Sequence, residues 1–260
     1  MKGRTIVITG AGSGIGAACV RRLAAEGANL VLVGRRREPL EQVAAECAGL
    51  VLAGDAASSS DWRGFIRQII DRFGGIDGLV ASAGGHGLGS ATETSDDTWQ
   101  AALRSNLDSA FHSARACLPA LVERRGSIVL MASIASLAAG AGVCGYTTAK
   151  HALLGLSRSL ARDYGPQGVR VNAICPGWVR TPMADAEMQP LMVHHGESLD
   201  AAYARVTAEV PLRRPANPAE IASACRFLLS DDASIITGAT LVADGGSSIV
   251  DVPTLAFERI

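Results

Sequence analysis

Tyr146 and Lys150 stand four positions apart at the start of a stretch with helical periodicity. On a helix, residues at that spacing share one face. A phenol with an ordinary pKa of about 10 is a poor base at neutral pH. A neighbouring ammonium stabilises the phenolate, so the pair could carry a proton to or from a reacting oxygen. Tyr-x-x-x-Lys alone occurs often by chance; its weight depends on what else the chain supplies.

A second chemical feature lies near the start. Gly10-Ala11-Gly12-Ser13-Gly14-Ile15-Gly16 follows the β-branched run Thr5–Thr9 and opens a helical pattern. Glycines let a ligand approach the backbone closely, and a helix N-terminus offers unpaired N–H groups and partial positive charge to a pyrophosphate. The strand–turn–helix context is the one a dinucleotide requires. The second strand should end beside the adenosine ribose, where an acid binds a 2′-hydroxyl and an arginine accommodates a 2′-phosphate. Here that strand runs into Gly34-Arg35-Arg36-Arg37 with no acid. Arg35 and Arg36 therefore favour NADP(H), with NAD(H) retained as the alternative.

These residues need a scaffold. Strand-like runs at Thr5–Thr9, Asn29–Val33, Leu50–Ala53, Gly78–Ala81, Ser127–Met131, Arg170–Ile174 and Thr240–Val242 alternate with amphipathic stretches. The latter are Gly16–Glu26, Pro39–Cys47, Asp61–Phe73, Asp97–Glu123, Tyr146–Tyr164 and Pro218–Ser230. This alternation predicts one doubly wound α/β domain over residues 1–260: a mainly parallel seven-stranded sheet of Rossmann type with helices on both faces. The segment from about 182 to 212 breaks the alternation and reads as a flap over the site.

Hydrophobic residues make up 48% of the 260 and the net charge is −1, which gives no reason to expect nucleic acid or an anionic membrane as partner. The start carries no basic, apolar leader and no run is long enough to span a bilayer. Six scattered cysteines without a Cys-x-x-Cys pair suggest reduced thiols in the cytoplasm. No metal-ligand spacing is present, so no metal is expected.

In combination, these features resemble the short-chain dehydrogenase/reductase family over nearly the whole chain. Carrying the resemblance are Thr9-Gly10-x-x-x-Gly14-Ile15-Gly16, Asp55-Ala56, Asn106, Ser133, Tyr146 and Lys150. The run Pro176-Gly177-Trp178-Val179-Arg180-Thr181 and the closing Asp244-Gly245-Gly246 extend it. The resemblance implies hydride transfer between a nicotinamide and a ketone or secondary alcohol. In that scheme Tyr146 moves the proton, Ser133 binds the same oxygen, and Lys150 binds the nicotinamide ribose and tunes Tyr146. Asn106 holds a water that links Lys150 to solvent. Gly10, Gly12, Ser13, Gly14, Ile15, Gly16, Asp55, Ala56, Ala83 and Gly84 would contact the cofactor, with Tyr146, Lys150, Pro176, Gly177, Val179 and Thr181. A homodimer or homotetramer is implied, packed through Asp97–Glu123 and Tyr146–Tyr164. The similarity to 3-oxoacyl-carrier-protein reductases is of this general kind. One departure is Ala81-Ser82-Ala83-Gly84, where relatives usually have Asn-Asn-Ala-Gly.

Candidate substrate-site residues are His86, Ile134, Ala135, Cys144, Trp178 and the stretch from Met183 to Met192. The apolar tail Val250–Ile260 is expected to dock on its own core or on a neighbour. Two other functions stay open: a catalytically silent dinucleotide sensor, and a lyase, dehydratase or epimerase that uses the same Tyr/Lys pair.

Overall fold

The structure, a computed structural model, describes residues 1–259, with side chains to Phe257. Its strands are β1 (Thr5–Thr9), β2 (Asn29–Gly34), β3 (Leu50–Ala53), β4 (Gly78–Ala81), β5 (Ser127–Met131), β6 (Arg170–Pro176) and β7 (Thr240–Ala243). All pair in parallel, in the order β3-β2-β1-β4-β5-β6-β7. The chain leaves β1 toward one edge and returns to start β4 on its other side. A doubly wound sheet opens its ligand crevice at such a switch point, beyond the carboxyl ends of the strands.

Strand residues alternate between two cores, as the twofold side-chain period requires. Val7, Val31, Leu79, Ile128 and Val171 face one side, against α3 (Ser59–Phe73), α5 (Ser109–Arg124) and α6 (Cys144–Tyr164). Ile6, Ile8, Leu32, Val80 and Ile174 face the other, against α1 (Gly14–Ala24), α2 (Arg37–Ala45) and α9 (Pro218–Leu229). Burial on both faces explains why these strands read as nearly continuous apolar runs. Arg4 and Arg170 close the carboxyl end of α9 by donating to the carbonyls of Leu229, Leu228 and Ser230. Cations there satisfy unpaired acceptors and complement the helix dipole.

Three expectations from the sequence change. The stretch expected as one helix over Asp97–Glu123 is α4 (Asp96–Leu103), a π turn (Arg104–Asp108) and then α5. The flap is a small folded unit of two helices, α7 (Pro182–His195) and α8 (Leu199–Val206). Thr181 caps α7 by accepting from the Ala184 N–H at 3.2 Å, and Pro182 occupies the first turn, where its missing N–H costs nothing. Tyr203 of α8 is fully buried among Ala184, Met188 and Ala202 and donates to Asp185 Oδ1 at 2.7 Å. Arg180 lies over the Tyr203 ring at 4.6 Å and pairs with Asp200 at 2.7 Å. Last, of the two dockings expected for the tail, on its own core or on a neighbour, the first is at most partial: Leu255 is half-buried, while Val252 and Phe257 are exposed on a 3-10 segment (Val252–Arg259). Ile260 lies outside the described residues.

Candidate active site

At the switch point, a cleft of about 630 Å³ opens between the turn after β1, the loop after β4, the start of α6 and the flap. At its inner end stands the glycine turn. Gly10 and Gly14 adopt left-handed backbone with φ of 66° and 52°. A β-carbon on Gly16 would overlap the Gly10 carbonyl oxygen. Ser13 precedes α1 without capping it through its side chain, so the first N–H groups of the helix face the cleft. Side chains are absent where a phosphate must approach and donors are present where it must be held; the cradle fits a dinucleotide pyrophosphate. Gly16→Ala is expected to cost about 1–3 kcal/mol through overpacking and to weaken cofactor binding. Thermal melting and a fluorescence titration with NADPH would read both; an unchanged melting temperature would contradict the close approach.

The Ala81-Ser82 departure has a structural answer. Ser82 Oγ donates to the Thr9 carbonyl at 2.6 Å, and Thr9 Oγ1 accepts from the Ala83 N–H at 3.0 Å. Thr9 and Ser82 thus tie the ends of β1 and β4 together without an asparagine.

Tyr146 and Lys150 project from the first turns of α6. No side chain caps this helix. Its early N–H groups are instead taken by the loop after β4: Cys144 N–H donates to Gly89 O at 3.1 Å, and Tyr146 N–H to Gly87 O at 3.3 Å. Gly87 is needed for this approach, since a β-carbon there would collide with the Tyr146 nitrogen. Nothing in the sequence pattern singled out Gly87 and Gly89 for this role; only the long-range pairing does.

Lys150 is buried at 5% exposure and donates to the Met131 carbonyl at 2.8 Å. Burial lowers its pKa to about 8. Its Nζ lies 5.5 Å from the centre of the Tyr146 ring. Ser133 follows β5; its Oγ accepts from the Ala135 N–H at 3.1 Å, and its hydroxyl is near enough to Tyr146 to lower the phenol's pKa. Ser136, the other nearby hydroxyl, is buried and donates to the Lys150 carbonyl at 2.7 Å. That commitment leaves Ser133 as the cleft-facing serine.

Two of the implied roles are modified by the geometry. Burial raises the Tyr146 pKa, the nearby Ser133 hydroxyl lowers it and the charge of Glu187 raises it again, and the net direction is up. The lowering expected from Lys150 is absent in the chain alone because, with its own pKa at about 8, Lys150 has lost its charge before the phenol ionises. Asn106 sits in the π turn with its amide committed to protein: Nδ2 donates to Gly85 O at 3.0 Å and Ala102 O at 2.9 Å, and Oδ1 accepts from the Gly85 N–H at 3.2 Å. The side chain therefore braces the loop that carries Gly84, and a relay water would have to be held by backbone that the π turn takes out of the regular ladder.

Of the expected cofactor contacts, Gly10, Ser13, Gly14, Ile15, Gly16, Gly84, Tyr146, Lys150, Pro176, Gly177, Val179 and Thr181 line the cleft. Gly12 packs on Pro39, and Ala56 is buried with its carbonyl accepting from Trp62 Nε1 at 2.9 Å. Arg35 and Arg36 are exposed at the end of β2. Asp55, at the end of β3, is partly buried, which would raise its pKa. The Ala57 N–H, the Arg104 guanidinium at 2.6 Å and the charge of Arg35 outweigh burial and hold the carboxyl below its usual range. Arg35 and Asp55 are thus neighbours outside the cleft, on the side where adenosine would extend.

At the outer end, His86, Ile134, Ala135, Trp178 and Met183 line the cleft. Cys144 does not. Nor do Met188, Leu191 and Met192, which turn into the flap's own core. Leu88, Val143 and the small-residue turn from Ala138 to Ala141 complete the wall, and no spacing or residue type marked them beforehand. Among the described residues no metal-binding cluster and no helix able to cross a membrane is found.

Residues 10–248 match a family model described as enoyl-(acyl carrier protein) reductase. Protein MoaE of Klebsiella aerogenes is 55% identical over 98% of this chain and 99% of its own length. Meso-2,3-butanediol dehydrogenase of Serratia marcescens is 35% identical over 95% of this chain and 96% of its own. A solved structure of a single-substitution variant of actinorhodin polyketide ketoreductase with NADPH superimposes with a TM-score of 0.88 at 31% identity, covering 94% of this chain and 96% of that one. The chain belongs to the short-chain dehydrogenase/reductase family. It is accordingly an NAD(P)-dependent oxidoreductase acting on CH–OH groups.

Proposed function

We propose that the protein is an NADP(H)-dependent ketone reductase in which Tyr146 is the proton donor. The convergence of Tyr146, Ser133 and Lys150 on one cleft beside the glycine cradle carries this reading. A bound nicotinamide supplies or takes the hydride. The chain's own residues do the rest. Ser133 orients the substrate oxygen toward the Tyr146 phenol. With its pKa raised, Tyr146 is fully protonated at neutral pH, which suits an acid that completes ketone reduction. Lys150, largely protonated below pH 8, provides a fixed positive charge and a donor to the cofactor ribose. The intact set argues against a silent sensor.

The preference for NADP(H) rests on Arg35 and Arg36 at the end of β2, where no acid stands. The NADPH-bound ketoreductase among the similar structures is consistent with it. Arg35→Ala is expected to raise the KM for NADPH by roughly ten- to a hundredfold while changing that for NADH little, the loss of one charge-assisted hydrogen bond. Equal effects on the two cofactors would refute the 2′-phosphate assignment. Self-association through α5 and α6 and a cytoplasmic location belong to the same reading; Phe111 of α5 is 39% exposed, and all six thiols are free. A panel of ketones and secondary alcohols, followed at the nicotinamide absorbance with both cofactors, tests the function. Failure to turn over any of them would overturn it.

A further inference from the structure

The loop after β4 meets the flap across the mouth of the cleft. His86 Nδ1–H donates to Glu187 Oε1 at 3.0 Å, with the two side chains 41% and 35% exposed. Glu187 lies three and four positions after Ala184 and Met183 on α7, the spacing that puts all three on the cleft-facing side. Around this pair the wall is apolar, built from Leu88, Ile134, Ala138, Val143 and Trp178. Among the described residues lining the cleft, Glu187 is the single acid. Its hydrogen bond to His86 occupies Oε1, and Oε2 retains acceptor capacity. The charge also reaches the chemistry, since it raises the proton affinity of Tyr146.

An apolar wall offers a substrate contact but no orientation; a few placed polar groups fix orientation in such sites. We propose that Glu187 determines specificity by accepting a hydrogen-bond donor, a hydroxyl or an ammonium group, that the substrate carries away from its reacting carbonyl, while His86 holds the carboxylate in position. This rests on the ketone reductase reading above. It also makes substrates with a carboxylate or phosphate at that point poor ones, because like charges repel in a partly desolvated site.

The test uses matched ketones with NADPH: a plain methyl ketone, its hydroxy analogue, its amino analogue and its carboxylate analogue. The wild-type enzyme should favour the hydroxy and amino ketones over the plain one in kcat/KM by about tenfold or more, mainly through KM, and disfavour the carboxylate. Glu187→Gln should keep part of the hydroxy preference and lose the amino preference. Glu187→Leu should lose both and improve the carboxylate analogue, and His86→Ala should weaken both preferences. Retained NADPH binding shows that each variant is folded. A wild-type enzyme without the preference, or a Glu187→Leu variant that keeps it, overturns the assignment of Glu187 and leaves the reductase reading standing. No turnover of any ketone overturns both.

Discussion

Tyr146→Phe should lower kcat by roughly a thousandfold or more, within or beyond the range usual for a lost general acid. The substitution removes one oxygen from a residue whose ring is packed at the start of α6. The backbone bond from its N–H to Gly87 O is unaffected. The fold and the glycine cradle should therefore persist, and NADPH affinity should stay within about threefold, less than 1 kcal/mol. The two readouts together make the result specific. Loss of turnover with intact cofactor binding places the hydroxyl in the chemical step. A variant that keeps more than about a tenth of wild-type kcat would remove Tyr146 from the mechanism.

Lys150→Met should have opposite effects on activity and stability. On the proposed mechanism turnover and cofactor affinity should fall, because the charge and the ribose donor assigned to Lys150 are gone. Stability of the cofactor-free protein at pH 7 should rise. Burial depresses the Lys150 pKa from 10.5 to about 8, so keeping the ammonium in place costs the folded state on the order of 3 kcal/mol. The Met131 carbonyl loses its donor, which returns about 1–3 kcal/mol of that gain. A net rise in melting temperature of a few degrees is expected. The pH dependence gives the sharper check. The folded wild-type protein binds fewer protons than the unfolded chain between about pH 8 and 10.5, so its stability should climb across that window as the penalty is relieved. The methionine variant lacks that climb, so its advantage at pH 7 should fall toward pH 10 and give way to an advantage of the wild type. A constant difference would show that Lys150 titrates normally.

Features that depend on neighbours in the chain were legible in the sequence. The glycine turn, the Tyr146–Lys150 pair and the arginines after β2 are fixed by residue type and short spacing, whereas Ser133 came from the family resemblance. The strands were equally plain, because burial on both faces makes each an apolar run bounded by turns. The seven predicted strands agree with the observed ones to within two residues at their ends. The all-parallel pairing follows from the strand–helix alternation and the handedness of crossovers.

The tertiary structure decided what depends on contacts across the chain. A π turn at Arg104–Asp108 inserts into a sequence whose periodicity reads as one helix, and Asn106 within it bonds to Gly85, twenty-one positions away. The flap's proline-containing stretch carries no clear period, yet Tyr203 gives it a core and a buried hydroxyl partner in Asp185. The same distinction applies to Tyr146 itself. Its type and spacing made it a candidate proton carrier. Its position depends on Gly87 and Gly89, and its raised proton affinity on burial and on Glu187. Residue type sets which chemistry is possible locally; the packing of distant segments sets the field and geometry in which it occurs.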